Sequence, residues 1–175
     1  MAASFLHRAE RVAPDTSSAD GFILIVDDEA DIRALLTRVL SERGCSVLSA
    51  TDGEDALEQM ARGVPIRFVI SNLRMPRMNG PSLYLCVGVA CPALAERFVF
   101  CTGDVVSDNC RYFLLEARRP CLSKPFELEE IDALLRALAD VVPIRLDAAA
   151  ILRVTTILGK RQKGLALVPA RNATA

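Results

Sequence analysis

From Phe22 onward, short apolar runs alternate with longer stretches in which apolar residues recur every three or four positions. The runs are Phe22 to Val26, Cys45 to Ala50, Ile66 to Ile70, Arg97 to Cys101 and Pro120 to Leu122. That alternation predicts an α/β chain with five parallel strands joined by crossover helices. A first helix is expected from near Glu29 to Gly44, with Ile32, Leu35, Leu36, Val39 and Leu40 on its inner side and Arg33, Arg38, Glu42 and Arg43 outside. A second begins near Asp52, turns Ala56, Leu57 and Met60 inward, and stops at Gly63 before Pro65. A fifth runs from about Glu127 through Ile131, Leu134, Leu135 and Leu138, and its acidic first turn suits the positive end of a helix dipole.

The third helical stretch breaks the pattern, because nothing between Arg77 and Glu96 is charged. A helix on one face of a sheet ordinarily keeps a polar outer side. Either the outer face of this one meets a partner, or the helix is shorter than the stretch suggests and partly buried. The flanks differ again. Residues 1–21 show no sustained period and read as a flexible leader, residues 22–140 carry the regular pattern, and residues 141–175 read as a basic tail. In the tail Arg145, Arg153, Lys160, Arg161, Lys163 and Arg171 stand against Asp147 alone. Asp147 to Ala150 could cap a short helix and Ile151 to Leu158 could equally open a hairpin, with disorder as the third option.

At 175 residues the chain has room for one domain of ordinary size with tails. A formal charge of −1 supplies no global field for nucleic acid or an anionic membrane. The basic tail lacks interleaved aromatic residues for base stacking, which disfavours nucleic acid further. Six cysteines are scattered without Cys-x-x-Cys pairs and the only histidine is His7, so a zinc site is not expected. Cys101 and Cys121 fall in apolar runs and read as reduced core thiols. The N-terminus has no apolar signal region, which points to a cytoplasmic protein. The uncharged stretch from Met78 to Ala95 is too interrupted by Asn79-Gly80-Pro81 and Pro92 to cross a bilayer.

Chemistry enters at the strand ends. Asp27-Asp28 closes the first strand, Asn72 the third and Thr102-Gly103 the fourth, while Ser123-Lys124-Pro125-Phe126 follows the fifth. In a parallel sheet the carboxyl ends of the strands line one crevice, so these groups converge. Two carboxylates would hold a hard divalent cation, a hydroxyl and a lysine would grip phosphate oxygens, and a central carboxylate would attack phosphorus. The central position is held by Asn72 instead.

With these four motifs in this order, the stretch from about Phe22 to Asp140 resembles the receiver domain of bacterial two-component response regulators. The Thr102-Gly103-Asp104 and Lys124-Pro125-Phe126 wording is similar to receivers attached to hybrid sensor kinases. The resemblance implies a doubly wound, flavodoxin-like (βα)5 fold with strand order 2-1-3-4-5. It places Asn72 at the phosphoacceptor position, and gives Asp27, Asp28, Asn72 and the backbone carbonyl of Arg74 to a Mg²⁺ site that would be weak. Thr102, Gly103 and Lys124 become phosphate and switch residues. Cys121 stands three positions before the lysine, where the family carries a switching aromatic residue. A carboxamide is a poor nucleophile, so acyl phosphate at residue 72 is not expected. Lys124 would then pair with Asp27 or Asp28, and the Asn72 amide with Thr102 or a backbone group.

The reading is a non-enzymatic module of phosphorelay signalling whose partner is a sensor histidine kinase or another signalling protein, with a homodimer left open. Two alternatives stand beside it. One is an ordinary phosphoryl-accepting receiver in which Asn72 is an engineered or sequence-level change. The other is a magnesium-dependent phosphotransferase or phosphatase with Asp27 as nucleophile, although the chain has no glycine-rich phosphate loop.

Overall fold

The computed structural model describes residues 21–103, 108–137 and 140–153. Strands β1 (Phe22–Val26), β2 (Ser46–Ala50), β3 (Pro65–Asn72), β4 (Phe98–Thr102) and β5 (Cys121–Ser123) pair in parallel in the order β2-β1-β3-β4-β5. The helices are α1 (Ala30–Ser41), α2 (Gly53–Ala61), α3 (Gly80–Ala90), α4 (Pro92–Ala95), α5 (Asp108–Ala117) and α6 (Leu128–Ala137). These are the five parallel strands and crossover helices that the alternation predicts, in the doubly wound order that the resemblance implies.

Both faces of the sheet are covered, and the period of two in each strand divides its residues between them. Phe22, Leu24 and Val26 pack with Ala56, Leu57 and Met60 of α2 and Leu83, Cys86 and Val87 of α3. Ile23 and Ile25 pack on the other face with Leu36, Val39 and Leu40 of α1 and Ile131 of α6. Leu35, expected on the inner side of α1, lies at the margin of the buried stripe and is 39% exposed. Leu138 lies outside the described residues. On the first face Phe113 of α5 meets Phe100 edge-on at 5.1 Å and Tyr84 of α3 meets Phe98 at 5.5 Å, so one aromatic cluster joins both helices to β4.

The uncharged stretch resolves into two helices. Pro92 cannot donate to the α3 ladder and biases Cys91 away from helical geometry, and Cys91 is accordingly non-helical at φ −154°. The helix is therefore shorter than the stretch, yet Leu85 and Val89 on its outer side remain 60% and 72% exposed. Asn79 caps it by accepting from the Ser82 N–H at 2.9 Å.

At its other end the packed chain runs past the sequence boundary at Asp140. Ile144–Arg145 forms β6, which pairs antiparallel with Pro65 and Ile66 of β3. Leu146 and Ile151 are buried in the core shared with α2 and α3. Residues 148–153 are helical, and Asp147 caps that turn through the Ala149 N–H at 2.9 Å. Arg97 and Arg145 hold the segment by donating to the carbonyls of Val142 and Gly63. The rest of the expected tail, and the leader up to residue 20, lie outside the described residues.

Candidate functional site

The carboxyl ends of β1 and β3, with the residues that follow β5, meet at one edge of the sheet. Asp27 leaves β1 still bonded to its neighbour, its N–H donating to the Ala50 carbonyl at 3.2 Å. Its side chain is fully buried. One carboxylate oxygen accepts from the Glu29 N–H at 3.0 Å and the other faces the Lys124 ammonium at 2.8 Å. The Cys101 thiol, also buried, lies 3.9 Å from that second oxygen. Burial, reinforced by Asp27, pushes the Cys101 thiol up and keeps it protonated.

Lys124 arrives at the pocket because its N–H donates to the Thr102 carbonyl at 2.9 Å and carries the β4–β5 ladder one residue further. Its side chain, 12% exposed, reaches Asp27 and also Glu29 at 2.9 Å. Burial lowers the pKa of the ammonium, but the hydrogen bonds to Asp27 and Glu29 together outweigh it and hold the lysine above its ordinary value. The peptide bond to Pro125 is cis. A buried charge must be paired, and here the pairing lies wholly between side chains of the protein.

Asn72 closes β3 and is 7% exposed. Its amide nitrogen donates to the Asp28 carboxylate at 3.0 Å and to the Arg74 carbonyl at 2.8 Å. Both partners are pure acceptors, so the nitrogen rather than the oxygen of the carboxamide must face them, and its two hydrogens are used. Gly80 lets the following loop pass this close, since a Cβ there would lie 2.3 Å from the Asn72 carbonyl. The same loop is pinned from the other side. Arg77, in a left-handed conformation at φ 56°, pairs with the buried Asp52 that caps α2, and the Gly53 N–H donates to Met78 at 2.9 Å.

The structure thus brings together Asp27, Asp28, Asn72, the Arg74 carbonyl and Lys124. Thr102 is buried at the end of β4, in register with Ser123, and Gly103 beside it is exposed. Cys121 does not reach this group. It pairs in register with Phe100 and packs half-buried against the opposite helical layer, where burial and the nearby Cys110 thiol raise its pKa. Two participants escaped the sequence reading. Glu29 is the second carboxylate on Lys124, and its position directly after the acidic pair was the available signal. Arg33, assigned to the outer side of the first helix, instead donates to the Asp27 and Asp28 carbonyls at 2.7 and 3.0 Å.

A divalent cation does not fit the groups as they stand. Asp27 is fully buried against the Lys124 ammonium, and Asn72 aims a nitrogen at the Asp28 carboxylate and the Arg74 carbonyl. Among the described residues no three His, Cys, Asp or Glu side chains converge on one point. Nor is Asp27 open to a substrate, since its side chain is fully buried.

Comparison with known proteins places the domain in a family. Residues 23–136 match the model of the response regulator receiver domain. The chain is similar to the response regulator MprA of Mycobacterium leprae, with 41% identity over 122 residues that cover 66% of this chain and 50% of that protein. It is also similar to the sensor kinase CckA of Brucella abortus, with 32% identity over 65% of this chain but only 12% of that protein. It therefore spans half or less of the length of these relatives. Among solved structures, the signal receiver domain of an HD domain-containing protein from Pseudomonas fluorescens is similar at a TM-score of 0.61 and 27% identity, covering 69% of this chain and 94% of that one. No helix among the described residues is long and apolar enough to cross a membrane.

Proposed function

Since the chain belongs to the response regulator receiver domain family, a module of two-component signalling, we propose that it works without accepting a phosphoryl group at residue 72 and signals by binding protein partners. The observation that carries this reading is the Asn72 side chain, whose nitrogen faces Asp28 and Arg74 at 3.0 and 2.8 Å in the place where a nucleophilic carboxylate would stand. A carboxamide has its nitrogen lone pair delocalised and an oxygen far less nucleophilic than a carboxylate, so it forms no acyl phosphate at a useful rate.

Two further features support the reading. Lys124, which would neutralise charge on a transferring phosphoryl group, is already paired with Asp27 and Glu29. Cys121, in the place of the family's switching aromatic residue, is a small thiol on the far helical layer. The exposed Tyr112 and Leu115 of α5 and Leu128 of α6 offer a partner apolar contacts. A sensor histidine kinase or another receiver-bearing signalling protein is the partner class that fits, and the module needs no catalytic turnover of its own.

The test is binding to histidine kinases, each presented unphosphorylated and after autophosphorylation. The expected result is a kinase bound with the same affinity in both states, with no label passing to this chain. Transfer of label to the unaltered chain would contradict the proposal. An Asn72→Asp variant that both takes up label and changes its affinity would favour an ordinary receiver carrying one altered residue.

A further inference from the structure

The misfit between this pocket and a divalent cation has a specific form. A cation in such a pocket would draw together the Asp28 carboxylate and the Arg74 carbonyl, two acceptors that otherwise repel. In this chain the Asn72 nitrogen already lies between them, 3.0 Å from one and 2.8 Å from the other. We infer that the Asn72 amide group stands in for the divalent ion, bridging Asp28 to Arg74 with its two N–H bonds and closing the pocket permanently. This rests on the functional reading above and adds how the site is regulated: neither Mg²⁺ nor its removal switches it.

The remaining charges are consistent with that substitution. Arg33 donates to the carbonyls of Asp27 and Asp28, Lys124 and the Glu29 N–H satisfy the Asp27 carboxylate, and Asn72 supplies Asp28. For a cation to enter, the carboxamide would have to turn over and present its oxygen. That exchange gives up two hydrogen bonds, one of them to a charged acceptor, before any metal ligand is gained. The loop bearing Arg74 is held independently by the Arg77 to Asp52 ion pair, so the bridge spans two fixed points and does not have to order a mobile one.

The bridge can be told from a merely weakened metal site because the two make opposite predictions for Asn72→Ala. If the amide replaces the ion, alanine vacates the position and Asp28 and Arg74 can recruit a cation. If the amide oxygen is a poor ligand, alanine removes it and binding falls further. Thermal unfolding is therefore followed in EDTA and in 20 mM MgCl₂ at matched ionic strength. The unaltered chain is expected to shift by less than about 1 °C and Asn72→Ala to rise by about 4 °C, the size expected for a millimolar site in a domain of this length.

A rise of several degrees in the unaltered chain, or an Asn72→Ala variant that does not respond, would overturn the inference. Should Asn72→Ala fail to fold, the side-chain amide resonances of Asn72 in the unaltered chain decide. Slow exchange and no movement on adding Mg²⁺ support the bridge, and rapid exchange or a shift overturns it. A magnesium response without phosphoryl uptake would defeat the bridge alone, whereas phosphoryl uptake by the unaltered chain would defeat the functional reading.

Discussion

Asp27 and Asp28 are neighbours in the chain, yet the two halves of the pocket they anchor are built on different physics. Asp27 is fully buried, and its charge is met by Lys124, itself only 12% exposed and shared with Glu29. Asp28 is exposed, and its carboxylate is met by the neutral amide of Asn72. The inner half is an ion pair in a medium where an unpaired charge costs several kcal/mol. The outer half is a hydrogen-bonded bridge near water, where each contact is worth roughly 1 kcal/mol. The fold requires the inner half, and function turns on the outer one. The inner pair cannot be removed cheaply and would persist with or without signalling, whereas residue 72 contributes less to stability and decides whether phosphorus chemistry can occur.

The largest effect should come from breaking the inner half. Lys124→Met leaves the buried Asp27 without its countercharge, and urea denaturation should show a loss of about 3 kcal/mol or more at neutral pH. A loss under about 1 kcal/mol would mean that water reaches Asp27 and that the two halves do not differ. Cutting the bridge should cost less. Asn72→Ala removes two N–H bonds, and about 2 kcal/mol is expected in EDTA. Asp28→Ala, which removes one of those two bonds, should cost about 1 kcal/mol by the same assay.

The smallest effect is that of alkaline pH. Lys124 is held above its ordinary value of 10.5, so the pair contributes fully below that pH. The contribution falls only as pH climbs through the raised folded value. Stability measured from pH 7 to 9 should therefore show no change attributable to Lys124, and a difference from Lys124→Met that shrank across that interval would contradict the pairing.

Much of this was legible in the sequence for identifiable reasons. The strands and most helices announce themselves because burial on both faces of the sheet enforces apolar runs, and strand ends carry the polar groups in a fixed order. Asn72 stands out for the same reason, as an amide where the order calls for a carboxylate. The contacts of Glu29 and Arg33 were not legible, since both depend on how far a side chain reaches back across a turn. The break between α3 and α4 was signalled by Pro92, but the absence of charge from Met78 to Ala95 made the stretch read as one helix. The packing beyond Asp140 was hidden because Leu146 and Ile151 are isolated apolar anchors in a charged run, and β6 is too short to show a period.

The most direct test of the central claim is intact mass after incubation with Mg²⁺ and a small-molecule phosphoryl donor, for the unaltered chain beside Asn72→Asp. The unaltered chain should keep its mass while Asn72→Asp gains one phosphoryl group, placing a complete pocket behind a single silent side chain. Phosphoryl uptake by the unaltered chain would show that another residue accepts the group, and would contradict the role assigned to Asn72.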